Sequence, residues 1–66
     1  MNIELRFLQK AIEDKNYISF TYENQKFAKI KPLELIEKEG DYTLKTHNKN
    51  YYFKKIKKLQ ILKERF

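Results

Sequence analysis

The sequence predicts a small, mainly β domain of the α+β kind, with one amphipathic helix at the N-terminus followed by about five antiparallel strands. Three observations carry this expectation. Apolar residues recur at helical spacing only before residue 14; from Tyr17 onward the apolar period is two; and turn-forming residues interrupt the period-two stretches at short intervals. A chain of 66 residues holds at most one domain with a small core, here 1–66, which leaves no room for an enzyme cleft of ordinary size.

The helix is expected over 2–14. Asn2 is placed to cap it, Leu5, Leu8, Ala11 and Ile12 share one face, and "DKN" at 14–16 supplies the turn that ends it. Ile3 and Phe7 lie four residues apart on a different face of the same helix. They form either a site of self-association or, the more ordinary alternative, an apolar wrap around the edge of the core.

The strands then follow over 17–63. "YISFTYE" puts Ile18, Phe20 and Tyr22 on one side, and "ENQ" turns the chain into "KFAKIK", where Ala28 and Ile30 alternate with lysine. Pro32 has no N–H to donate and ends that pairing. "LELIEK" is the third strand, "EGD" around Gly40 a tight hairpin turn, and "DYTLKT" the fourth strand. "HNKN" at 47–50 leads into "YYFKKIKKLQIL". Its opening resembles a strand, but Phe53, Ile56 and Leu59 recur every third residue, which suits a 3₁₀-like turn at about 54–57 before a short closing strand, "LQIL". Such a set of elements describes a strongly bent sheet or barrel of the SH3-like or Sm-like type, its open end plugged by the helix. The expected core is Ile18, Phe20, Tyr22, Ile30, Leu33, Leu35, Leu44, Phe53, Ile56 and Ile61, with Leu8 and Ile12 from the helix and Ile36 at the rim.

Composition narrows the function. The chain has no cysteine, which excludes disulfides, Cys-based zinc sites and thiol nucleophiles and fits a reduced, cytoplasmic setting. No apolar run spans a membrane, and "MNIELRF" does not read as a signal peptide. His47 is the only histidine, so no metal constellation is expected, and no cofactor motif is present. Glu37, Glu39 and Asp41 crowd one hairpin and read as a solvated tip rather than an acid/base pair. No catalytic set assembles, and the expectation is a protein that is not an enzyme.

Charge is distributed unevenly. Residues 1–48 hold eight Lys/Arg and eight Asp/Glu, whereas residues 49–66 hold seven Lys/Arg against Glu64 alone, so the whole net charge of +6 lies in the last 18 residues. Two classes of function fit. In the first, Lys54, Lys55, Lys57 and Lys58 meet the phosphates of nucleic acid or a nucleotide while Tyr51 or Tyr52 offers a stacking face. In the second, a protein-interaction or homodimerisation module docks through Ile3, Phe7 and an unpaired strand edge, and the lysines only guard that edge.

The order "AIEDKNYISFTY", "KIKPLELI", "EGDYTLKT", "YYFKKIKKLQIL" resembles the WYL domain, a bacterial module named after a Trp-Tyr-Leu tripeptide. The matching features are the helix ending in Ala11-Ile12, the Phe20-x-Tyr22 strand, Pro32 before an apolar strand, and an aromatic-x-apolar-x-basic-Ile ending at Ile56. Tyr42 stands for the tripeptide's Trp and Thr43 for its Tyr, Leu44 is retained, and Lys55 replaces the usual arginine, whose fork grips phosphate as an ammonium cannot. The resemblance implies an Sm-like or SH3-like barrel that binds a nucleotide or nucleic-acid ligand, usually behind a helix-turn-helix in transcription regulators. By the same resemblance the ligand-contacting positions are Tyr42, Tyr51 and Lys55, although alternation with Leu44 assigns Tyr42 to the core.

Overall fold

The computed structural model describes residues 3–66. One helix, α1 (Ile3–Asp14), precedes β1 (Asn16–Tyr22), β2 (Gln25–Ile30), β3 (Pro32–Lys38), β4 (Asp41–Thr46), β5 (Asn50–Tyr52) and β6 (Ile56–Arg65), with a 3₁₀ turn at Phe53–Lys55 between the last two. The expected cap, Asn2, lies outside the described residues. Lys15 ends α1 in the left-handed region at φ 58°, its N–H donating to the Ile12 carbonyl at 3.3 Å. Leu8 and Ala11 are fully buried and Ile12 packs against the core, so the helix covers the sheets as its periodicity predicts.

Among the described residues the strands number six, and they form two separate three-stranded antiparallel sheets, ordered β2-β1-β6 and β3-β4-β5. The expected strongly bent sheet or small barrel of about five strands is therefore corrected to two three-stranded sheets that do not close into a barrel. "NYY" contributes a short strand of its own, Phe53 passing into the 3₁₀ turn, and the ladder breaks at both junctions between the sheets. At one, Pro32 opens β3 without an N–H; at the other, the 3₁₀ turn separates β5 from β6. Two tight hairpins keep the expected turns: Glu23-Asn24 joins Tyr22 to Gln25, and Glu39-Gly40 joins Lys38 to Asp41, all four turn residues having positive φ.

Bulges decide which residues enter the core. Ile18 pairs with Ile30 but Phe20 with Phe27, so β2 carries an extra residue there, and Lys29 takes φ 53°. Phe27 thereby shares a face with Ile30 in place of the expected Ala28. Thr21 pairs with Lys57 but Ser19 with Gln60, which puts a second bulge in β6 with Lys58 at φ 53°. β6 shifts again between the Ile18–Ile61 and Asn16–Arg65 pairs, and between Pro32 and Glu34 a further bulge shifts β3, so that Pro32 is buried while Leu33 is 45% exposed, against its expected place in the core. Ile61, also expected inside, is exposed because no strand lies beyond β6 among the described residues.

The remaining core follows the alternation: Ile18, Phe20, Tyr22, Ile30, Leu44 and Ile56 are buried, with Leu35 and Phe53 packed against them. Tyr51 joins them, its ring edge-on to Phe20, Tyr22 and Phe27 with centroids 4.9, 5.0 and 5.6 Å apart. Lys49 closes this cluster from outside, its ammonium 5.2 Å from the Tyr51 ring centre and 5.6 Å from that of Phe27.

Candidate nucleic-acid interface

Register in the second sheet sends adjacent tyrosines to opposite faces. Leu44 pairs with Tyr51, and both are buried; Thr43 pairs with Tyr52, and that pair faces outward. Tyr51, an expected stacking residue, is thus 1% exposed and unable to meet a ligand, whereas Tyr52 is 57% exposed. The main chain of Tyr52 is anchored from within, its N–H donating to the Tyr22 hydroxyl at 3.2 Å. Because Ile36 pairs with Thr43 in turn, the row Ile36–Thr43–Tyr52 runs straight across the outer face of the sheet, and Asp41 follows two residues from Thr43 on the same face.

Tyr52 stands at one side of a groove of about 680 Å³ between the β3–β4 hairpin and the 3₁₀ turn. Leu5, Tyr42 and Phe53 supply its apolar surface, the last two with ring centres 6.5 Å apart. Lys54 and Lys55 form the wall on the turn side, and the Lys55 ammonium lies 5.7 Å from the Tyr52 ring centre. On the hairpin side the wall carries Lys38, Glu39 and Asp41. Among the described residues the ion pairs are Lys10–Asp14 and Lys29–Glu64, so no charged group of the groove is held by a salt bridge.

The lysine cluster of the sequence is therefore divided. Tyr52, Lys54 and Lys55 come together at the groove, whereas Lys57 and Lys58 belong to β6 and do not line it. Tyr42 is half-buried beside Phe53; the nearby charge of Glu37 raises its phenol above the ordinary value. Sequence reasoning missed Asp41, Thr43 and Lys38 as site residues, although the parity of "DYTLKT" already separates Asp41 and Thr43 from Tyr42 and Leu44. Nothing in the sequence marks Thr43 as the cross-strand neighbour of Tyr52, because that pairing depends on the 46–50 turn. There, the Thr46 hydroxyl donates to the Lys49 carbonyl at 2.6 Å and accepts from its N–H at 3.2 Å.

Ile3 and Phe7 are 64% and 57% exposed, and Phe7, one helical turn before the buried Ala11, lines a shallow groove with it and with residues 59–62 of β6. Among the described residues no cluster of three metal-ligating side chains occurs, and no helix is long and apolar enough to cross a membrane. Comparison of the chain with known family models, with curated proteins and with solved structures finds no match.

Proposed function

We propose that this chain is a non-catalytic, WYL-like module that binds single-stranded nucleic acid or a nucleotide in the cytoplasm, in a regulatory role, with Tyr52 as the stacking platform and Lys54 and Lys55 as the phosphate contacts. The observation that carries it is the exposed Tyr52 ring, with the Lys55 ammonium 5.7 Å away, at the side of a groove whose lysines have no carboxylate partner among the described residues. A base has a π-face for the ring, and its phosphate meets the ammonium groups.

Fluorescence anisotropy with a labelled oligonucleotide at two salt concentrations tests this. Binding should be weak and fall with salt at a slope near −0.7 for each of roughly 2–3 neutralised phosphates. Tyr52→Ala should weaken it by about 1–3 kcal/mol without altering the slope. Joint replacement of Lys54 and Lys55 by glutamate should abolish it. The same change at Lys57 and Lys58, outside the groove, should reduce it only modestly. Equal losses from the two double variants would mean a diffuse basic field with no site at Tyr52.

A second reading, a self-association module, is favoured by one observation: the exposed apolar pair Ile3 and Phe7 on α1.

A further inference from the structure

We infer that the groove selects guanine among the bases, with Asp41 reading the edge of a base stacked on Tyr52; this rests on the nucleotide-binding reading of the same groove. A groove meant only for phosphate gains nothing from carboxylates, yet Asp41 and Glu39 line it opposite Lys54 and Lys55, and none of the four is engaged in an ion pair among the described residues. Such a cleft has the carboxylates of Glu39 and Asp41 beside Lys38 on one wall, cationic donors alone on the other and an aromatic face between them. Its complement is a ligand with a π-face, an anionic end and a donor-rich edge.

Register brings Asp41 to this ligand. Thr43 is the cross-strand partner of Tyr52, and Asp41 lies two residues before it on the same face of β4, so the carboxylate stands diagonally across from the Tyr52 ring. Glu39 sits in the two-residue turn with φ 53° and has no such register relation to Tyr52. Guanine presents two adjacent donors, N1–H and the N2 amino group, which one carboxylate accepts as a parallel pair. Adenine sets a single amino donor beside the N1 acceptor, and uracil flanks its N3–H with two carbonyls, so both place acceptor lone pairs against the carboxylate. Lys54 and Lys55 take the phosphate at the other end.

Amide chemical-shift titrations of the ¹⁵N-labelled chain with GMP, IMP, AMP and UMP test the inference and report folding at the same time. GMP should shift the amides around Asp41, Thr43 and Tyr52 and bind about tenfold more tightly than AMP or UMP, the discrimination of one bidentate pair. IMP, which lacks the N2 amino group, should fall between. Asp41→Asn should bring the four affinities together, while Glu39→Gln should leave the order intact. Four equal affinities at these amides, or a guanine preference that survives Asp41→Asn, would overturn the base assignment and leave the nucleotide site standing. Absence of any shift at Tyr52 with all four nucleotides would overturn both.

Discussion

Tyr51 and Tyr52 are chemically identical neighbours with opposite roles, and the difference is one step of strand register. Tyr51 brings its hydroxyl into the core, where it has no well-formed hydrogen bond among the described residues. A buried, unpaired hydroxyl is a liability. Tyr51→Phe keeps the ring contacts and should leave stability near neutral pH unchanged or raised by up to about 1 kcal/mol. Burial raises the Tyr51 phenol above its ordinary pKa, with Asn48 opposing the shift and Tyr22 adding to it. The fold therefore favours the neutral phenol. That contribution is fully present below the unfolded value of about 10 and is lost as pH rises through the folded value. Thermal melts of the wild type and Tyr51→Phe at pH 7 and pH 11 should show the variant losing less stability on the alkaline side. An equal loss in both would place the effect elsewhere, for instance at the Lys29–Glu64 pair, which raises the lysine's pKa and weakens as the lysine deprotonates.

At the scale of the element, β1 is gripped on both sides by bulged partners. One bulge on each side holds a lysine at φ 53°, Lys29 in β2 and Lys58 in β6, and β6 shifts once more between its Ile61 and Arg65 pairings. A bulge sharpens the local twist and lets a three-residue apolar period live inside a strand, as it does at Ile56, Leu59 and Leu62 in β6. The recurrence of Phe53, Ile56 and Leu59 thus has two causes: a 3₁₀ turn at Phe53–Lys55, slightly earlier than expected, and then the bulge at Lys58. Strand propensity alone predicts that valine is welcome at both Lys57 and Lys58. The backbone predicts otherwise. Lys58→Val forces a β-branched residue into the left-handed region and should destabilise by about 1–2 kcal/mol. Lys57→Val should lie within about 0.5 kcal/mol of the wild type. Urea denaturation of the two variants decides it, and equal effects would argue against the bulge.

At the scale of the whole molecule, two small sheets share one core under one helix. Leu8, fully buried, sits where α1 meets both sheets, with the helix packed on β1, β3 and β6. Leu8→Ala should remove about 2–5 kcal/mol, enough to leave a domain of this size largely unfolded, as circular dichroism would show. The exposed flank of the helix makes a different prediction. If copies associate, Ile3 and Phe7 are the apolar surface available for it, and Phe7→Glu should give a folded monomer in sedimentation. A wild type already monomeric, or an unchanged dimer in the variant, counts against self-association through α1.

The sequence by itself determined the kind and order of the elements. It also determined the buried face of α1, the two tight hairpins, and the burial of Ile18, Phe20, Tyr22 and Leu44, since each depends on periodicity or turn chemistry within a few residues. Tertiary structure alone decided the rest. Whether Leu33 or Pro32 enters the core, whether Ala28 or Phe27 does, and which of two tyrosines meets solvent are questions of cross-strand register. A single bulge inverts every side chain beyond it, and its position is set by partners tens of residues away. The candidate site was legible to the same degree. Tyr52 and the lysines of the turn announce themselves by type and spacing. The separation of Lys57 and Lys58 from the groove, and the arrival of Asp41 and Thr43 beside Tyr52, come from pairing β4 with β5 and bulging β6, where non-local hydrogen bonds override the local pattern.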